Sequence, residues 1–512
     1  MQSHKSIAFI LFCIAMAVFV QCRHGMLPDG NYQLISTYPL IDPDYTQLII
    51  PPNIAPMNFR IREPANGYFV KIYSTNSGEI RISNQHGKIS IPEKQWKRLL
   101  ENNHNQPIFI DVYAKRSDGW VRYQTIRNQI AEESIDSHVV YRLINPGYVG
   151  WDQMGIYQRN IETFDESPVF TNQTTQKNCM NCHAFCNQNP DQMLFHMRAS
   201  FAGTIFCDHQ TIRKVNTKTP HTLSAGVYPA WHPDGRHVAF SVNNIYQRFH
   251  RNTDESIYVF DTFSNLIIYD TQTNQVTTSP AVSTERLENV PNWSPDGKFL
   301  YYGSAEKQPD MQYNDIRYDL MRIAYDVQTN TWGTPEPVLL ASKTSQSISF
   351  PKVSPDGRFL LFSMSDYGYF HVNFKSSDLY LMNLETGEIV KPNINSDLAE
   401  SYHSWSSNSR WFVFVSKRRD GLCSRLYFAH MDTNGQVSKP FLLPPKDPDF
   451  YDTFLKNYNV PEMVYGSVKV DRWKLMKVAK EGGDDAQFDP AVDVDAITVA
   501  TQSRKMEGMK KY

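Results

Sequence analysis

The chain has 512 residues, 41% hydrophobic and 13% aromatic, which supports packed cores and excludes an intrinsically disordered protein. Its 51 basic and 53 acidic side chains leave a formal net charge of −2 with no long basic run, so a nucleic-acid partner is excluded. Length predicts about three domains, and 28 Tyr with 30 Pro suit a β-rich chain full of turns.

At the N-terminus Lys5 precedes an apolar run from Ile7 to Val20. Its 14 residues match the core of an export signal and fall short of the roughly 20 needed for a membrane span. Cys22 follows directly, where an exported lipoprotein carries its acylated cysteine, although Phe19-Val20-Gln21 lacks the usual Leu and small residues. Cleavage after Ala17, giving a soluble product, is the alternative. The expectation is a signal over residues 1–22, a periplasmic or outer-membrane location, and a membrane contact through lipid on Cys22.

Residues 30–145 read as a small β-sandwich. Alternating runs at Tyr68–Tyr73, Ile108–Tyr113 and Val139–Tyr141 are separated by turn clusters such as Thr75-Asn76-Ser77-Gly78. One helix interrupts them, with Ser90 and Glu93 in a capping-box pattern and Trp96, Leu99 and Leu100 on its apolar face.

Residues 146–195, a first-blade or linker region, hold Cys179-Met180-Asn181-Cys182-His183. Two cysteines at this spacing can form thioethers to the two vinyl groups of one haem, and the adjacent histidine can then ligate the iron. A half zinc knuckle is the rival, but no second Cys/His pair at ligand spacing follows. The motif predicts one covalent haem c, tethered by Cys179 and Cys182 with His183 proximal, on a short helical insertion. A short helix after Pro190 would place Met193 on one face with His196 and Met197, three candidates for the distal iron position. His196 would give a lower-potential haem, and Met193 or Met197 a higher one. His209 and His221 are weaker candidates. Of the remaining thiols, Cys207 and Cys423 read as buried small hydrophobes and Cys186 as a free thiol; their odd number implies no complete disulfide framework.

An internal repeat fills residues 196–470. Trp231-His232-Pro233-Asp234-Gly235-Arg236, Trp293-Ser294-Pro295-Asp296-Gly297-Lys298, Ser354-Pro355-Asp356-Gly357-Arg358 and the degenerate Trp405-Ser406-Ser407-Asn408-Ser409-Arg410 each precede an apolar strand. The Asp or Asn positions lie 62, 60 and 52 residues apart, a period that suits one four-stranded propeller blade with generous loops. Pro sets φ at the first turn position, Asp closes the turn, and Gly accepts the positive φ. About six blades are expected. Residues 471–512 read as a poorly ordered tail.

Tandem S-P-D-G-[RK] turns before hydrophobic strands resemble the TolB-like, WD-related β-propellers of bacterial envelopes. Together with Asn178 through His183, the chain is similar to Bacteroidetes envelope proteins of this type that carry a C-x-x-C-H site. The resemblance implies an all-β chain whose TolB-like β-propeller follows the sandwich. It also implies an envelope redox or scaffold protein as partner. H-E-x-x-H, P-loop and G-x-S-x-G motifs are absent, and the 40 residues after position 472 are too few for a hydrolase domain. His232 and His403 sit next to the repeat turns; His403 reads as a blade-loop residue, with metal binding as the lesser alternative. The expected role is electron transfer or redox sensing. The alternatives are a haem-free scaffold that binds proteins or peptides, and a haem peroxidase, which would need an open distal position.

Overall fold

The computed structural model describes residues 30–146, 152–249, 257–309 and 312–497; the export signal expected over residues 1–22, with Cys22, lies outside the described residues. The chain divides into two compact units.

The first unit joins the chain up to Gln47 with Pro56–Ile130 and Lys446–Asp449. Its long central strand, Pro107–Arg116, pairs with Tyr68–Ser74 on one edge, and with Gly119–Arg122 and then Ile126–Ile130 on the other. A second, three-stranded sheet contains Ile41–Asp42, Phe59–Ile61 and Lys88–Ile89. The helix Glu93–Glu101 buries Trp96, Leu99 and Leu100, the predicted face, but Pro92 occupies its N-cap and the Ser90–Glu93 capping box does not form. Arg60 and Lys88 hold the returning segment through ion pairs to Asp447 and Asp449.

The second unit comprises Leu48–Ala55, Ala131–Pro445 and the chain from Phe450. Among the described residues its strands form six four-stranded antiparallel blades. Blade one takes His138–Ile144, Met154–Asn160 and Glu166–Thr171 from the N-terminal side, and its innermost strand, Asn457–Val464, from the far end of the chain. The innermost strands of blades two to six are Met180–Phe185, Val227–Trp231, Leu287–Trp293, Ser347–Val353 and Glu400–Trp405. Each packs beside the next, and Asn457–Val464 lies against both Glu400–Trp405 and Met180–Phe185, which closes the ring. Closure by a strand from the opposite end of the chain gives blade one its fourth strand, and the inner edges that remain are short and face the axis.

The repeat turns are built as their residue types dictate. Ser294, Ser354 and Ser406 each donate to the Asp or Asn two residues on and accept the N–H five residues on, at 3.0 to 3.1 Å. The turn closes when the N–H of Gly297, Gly357 or Ser409 reaches the carbonyl of that same serine. The tryptophans tie neighbouring blades: Trp231, Trp293 and Trp405 donate their indole N–H to the carbonyls of Ala184, Ala230 and Lys352 on the preceding innermost strand. Apolar clusters then fill the spaces between blades.

Three expectations are corrected. The propeller begins at about residue 131, well before 196, because Val139–Tyr141 belongs to blade one and not to the sandwich. No helix carries the C-x-x-C-H run or follows Pro190: Met180–Phe185 and Gln192–Met197 are the first two strands of blade two. The tail is built into the propeller through Ile497. Its helix Arg472–Lys480, capped by Asp471, buries Leu475 and Ala479 against blades one and two, and Asp484–Asp485 and Gln487–Phe488 add parallel edges to blades two and three.

Candidate functional site: the axial cavity

Every innermost strand breaks register with its neighbour at one point. At that point stands a residue in the left-handed region: Cys182 (φ 53°), Tyr228 (49°), Val290 (50°), Phe350 (52°), Tyr402 (36°) and Val460 (46°). None is glycine, and each such conformation costs about 1–2 kcal/mol, an outlay that blade packing offsets. The next residue is Pro229, Pro291, Pro351 or Pro461 in four blades, and His183 or His403 in the other two. Pro suits a bulge because no ladder N–H is required there. All twelve of these residues line one cavity on the propeller axis, about 660 Å³ in volume and within the range of cofactor sites.

The walls are apolar around the bulges, with a one-sided set of charges. Arg142, Arg198, Lys352 and Lys417 line the cavity, against the single acid Glu462. Arg142 donates to the Met180 carbonyl and to the Asn181 side chain, and Lys417 donates to Asn373 at 2.7 Å. Burial pushes the Glu462 carboxyl up to about 7, against the pull of Lys352 and a 3.0 Å hydrogen bond from the Phe185 N–H. Burial likewise lowers the Lys352 ammonium. Burial drives both His183 and His403 down to about 3, helped by Arg142 for the first and Lys352 for both, so each imidazole is neutral near pH 7.

The motif residues share this wall. Cys179 precedes the innermost strand of blade two and is 8% exposed, Cys182 takes the left-handed bulge position, and His183 follows it. Both thiols are free, and the His183 Nε2 is buried with no hydrogen-bond partner. Cys186, Cys207 and Cys423 are also free and buried.

The distal candidates lie elsewhere. In a strand Met193 and Met197 share a face with Phe195, while His196 turns the opposite way, so the helical grouping dissolves. Met193 and Met197 are fully buried in the cluster between blades one and two. His196 is buried with Nδ1 3.2 Å from the Thr204 hydroxyl, and none of the three lines the cavity. His403, read as a loop residue, is instead on the innermost strand of blade six. The sequence reading missed it with Arg142, Lys352 and Glu462. Aligning the six bulges by their Pro or His would have found His403.

His232 belongs to a turn. Its Nδ1 accepts the Asp234 N–H at 3.1 Å and its Nε2 meets the Gly297 carbonyl at 3.0 Å, so it fills the serine slot of the repeat box. Among the described residues, His232, Asp234 and His237 form the one group of such donors whose atoms lie within 4.8 Å of one another. Cys179, Cys182 and His183 therefore do not converge on a point, as a zinc knuckle requires. Their spread fits haem c, in which the sulfurs reach the porphyrin edge and the imidazole alone reaches iron. The unpartnered Nε2, the apolar walls and the surplus of cations meet the needs of iron, macrocycle and two carboxylates respectively.

No protein family and no curated protein sequence matches the chain. Among solved structures it is similar to a protein assigned as TolB from Agrobacterium tumefaciens, at 14% identity over 64% of this chain and 98% of that one, with a TM-score of 0.36. It is also similar to an auxiliary nutrient binding protein from Bacteroides thetaiotaomicron, at 9% identity over 78% and 98% of the two chains, TM-score 0.31. The Dos1 propeller matches at 16% identity over 44% and 64%, TM-score 0.27. Among the described residues no helix is long and apolar enough to cross a membrane. By its own strand pairing the second unit is a β-propeller.

Proposed function

We propose that this propeller carries one covalent haem c in its axial cavity and serves electron transfer or redox sensing at the cell envelope. The observation that carries the reading is that Cys179, Cys182 and His183 share one cavity wall while the buried His183 Nε2 has no partner. Each thiol would add across one vinyl group: a sulfur–carbon bond forms, the thiol proton moves to the neighbouring vinyl carbon, and nothing leaves. His183 would hold the iron, and Arg142, Arg198, Lys352 and Lys417 would hold the two carboxylates. The apolar bulge residues would exclude water. When bound, the group supplies one-electron exchange between two iron oxidation states. Export through residues 1–22, with lipid on Cys22, would place the propeller beside an envelope redox partner.

A second reading is a haem-free scaffold that binds proteins or peptides through the cavity. It is favoured by one observation: His183 stands where four blades carry Pro, so the bulge alone accounts for its position. Haem-stained denaturing gels separate the two, using full-length chain exported beside a c-type maturation system. The haem reading expects a stained band that Cys179→Ala/Cys182→Ala abolishes. A folded, unstained wild type leaves the scaffold reading.

A further inference from the structure

We infer that His403 is the second axial ligand of the iron, an assignment that rests on the haem reading above. The six bulges offer six equivalent slots on the cavity wall, and only His183 in blade two and His403 in blade six fill theirs with a side chain able to bind metal. These two blades are the ring neighbours of blade one, where Pro461 fills the slot.

The chemistry of the His403 ring is specific. Its Nε2 lies 2.9 Å from the Leu361 carbonyl, which can only accept, so Nε2 carries the hydrogen. The lone pair is therefore on Nδ1, which is buried and has no hydrogen-bond partner. One ring N–H fixed by a backbone carbonyl is the arrangement that orients a metal-binding imidazole, although the Phe350 backbone also lies against this ring. His371, equally buried, shows the contrast: both its nitrogens are engaged, by Ser363 and by the Gly368 carbonyl, and it does not line the cavity. Neutral His183 and neutral His403 would make a bis-imidazole site, which holds iron low-spin and at low potential.

The test uses the full-length, haem-loaded protein. Absorption and electron paramagnetic resonance spectra are compared for wild type, His403→Pro, His403→Ala and, as control, His196→Ala. Pro is the residue of four other blades at this slot, and Ala keeps the backbone N–H, so one variant covers a folding failure of the other. Expected are a low-spin ferric wild type and an unchanged His196→Ala. Both His403 variants should keep a full haem stain, lose the low-spin signal, gain carbon monoxide binding when reduced, and return to low-spin with added imidazole. Low-spin spectra in haem-positive His403 variants, or a high-spin wild type, overturn the assignment and leave the haem reading standing. An unstained wild type overturns both.

Discussion

The repeat turns and the inner bulges of the propeller recur blade after blade, yet they constrain sequence in opposite ways. In a turn, each side chain completes a local hydrogen-bond box, so Ser294, Ser354 and Ser406 recur with an Asp or Asn two residues on. In a bulge the ladder break sets the backbone, and Cys182, Tyr228, Val290, Phe350, Tyr402 and Val460 all adopt the same left-handed conformation. The turns leave identity little freedom; the bulges fix only where the side chain stands. A propeller can therefore place chemistry at its bulges without disturbing its frame.

Substitutions can break this contrast. The largest stability loss is expected at a turn. Gly297 has φ +73°, and an added Cβ would lie 2.3 Å from the His232 Nε2, displacing that ring from its carbonyl partner. Gly297→Ala should cost about 3 kcal/mol, read as a lowered denaturation midpoint. An unchanged midpoint would mean that the turns tolerate variation as the bulges do.

Next is Glu462 on the cavity wall. Its folded carboxyl keeps its proton up to about 7, whereas an unfolded one releases it near the ordinary value of 4.5. Between those values the folded state binds more protons, so stability falls as pH rises and levels off above 7. The fall is up to about 3 kcal/mol for the haem-free chain. Glu462→Gln should remove this slope from a stability profile between pH 5 and 8; a profile as steep as wild type would contradict it.

Ser354→Ala tests the box directly. It leaves the Phe359 N–H, now bonded at 3.0 Å to the serine hydroxyl, without its acceptor, and should cost about 1–2 kcal/mol in chemical denaturation. The smallest stability effect is expected at the bulge. His183→Pro installs the residue of four other blades at a position outside the strand ladder, so stability should stay within about 1 kcal/mol of wild type. Circular dichroism melts of the haem-free chain would show it, and a large loss would make His183 structural.

The same contrast explains what the sequence disclosed. The turns were legible because Pro, Asp and Gly act within six residues of one another. The strand after Pro190 was misread because Met193, Leu194, Phe195, His196 and Met197 are buried on both faces, which erases the alternation that marks a half-exposed strand. Blade one was legible only in part, as the first-blade region of residues 146–195, because its innermost strand, Asn457–Val464, pairs with His138–Ile144 more than 300 residues earlier. The tail looked disordered by its charges, although Leu475 and Ala479 anchor its helix. Of the site, the C-x-x-C-H run announced itself, whereas Lys352, Glu462 and His403 converge on it only through ring closure.

The most direct test of the haem assignment is the intact mass of the exported full-length protein, purified from cells with a c-type maturation system. Thioether formation loses no atoms, and wild type and Cys179→Ala/Cys182→Ala share the same N-terminal processing, so the account predicts wild type heavier than the double variant by one whole haem plus the two substituted sulfur atoms. A folded wild type heavier by the two sulfur atoms alone would contradict it and leave the axial cavity as a haem-free binding site.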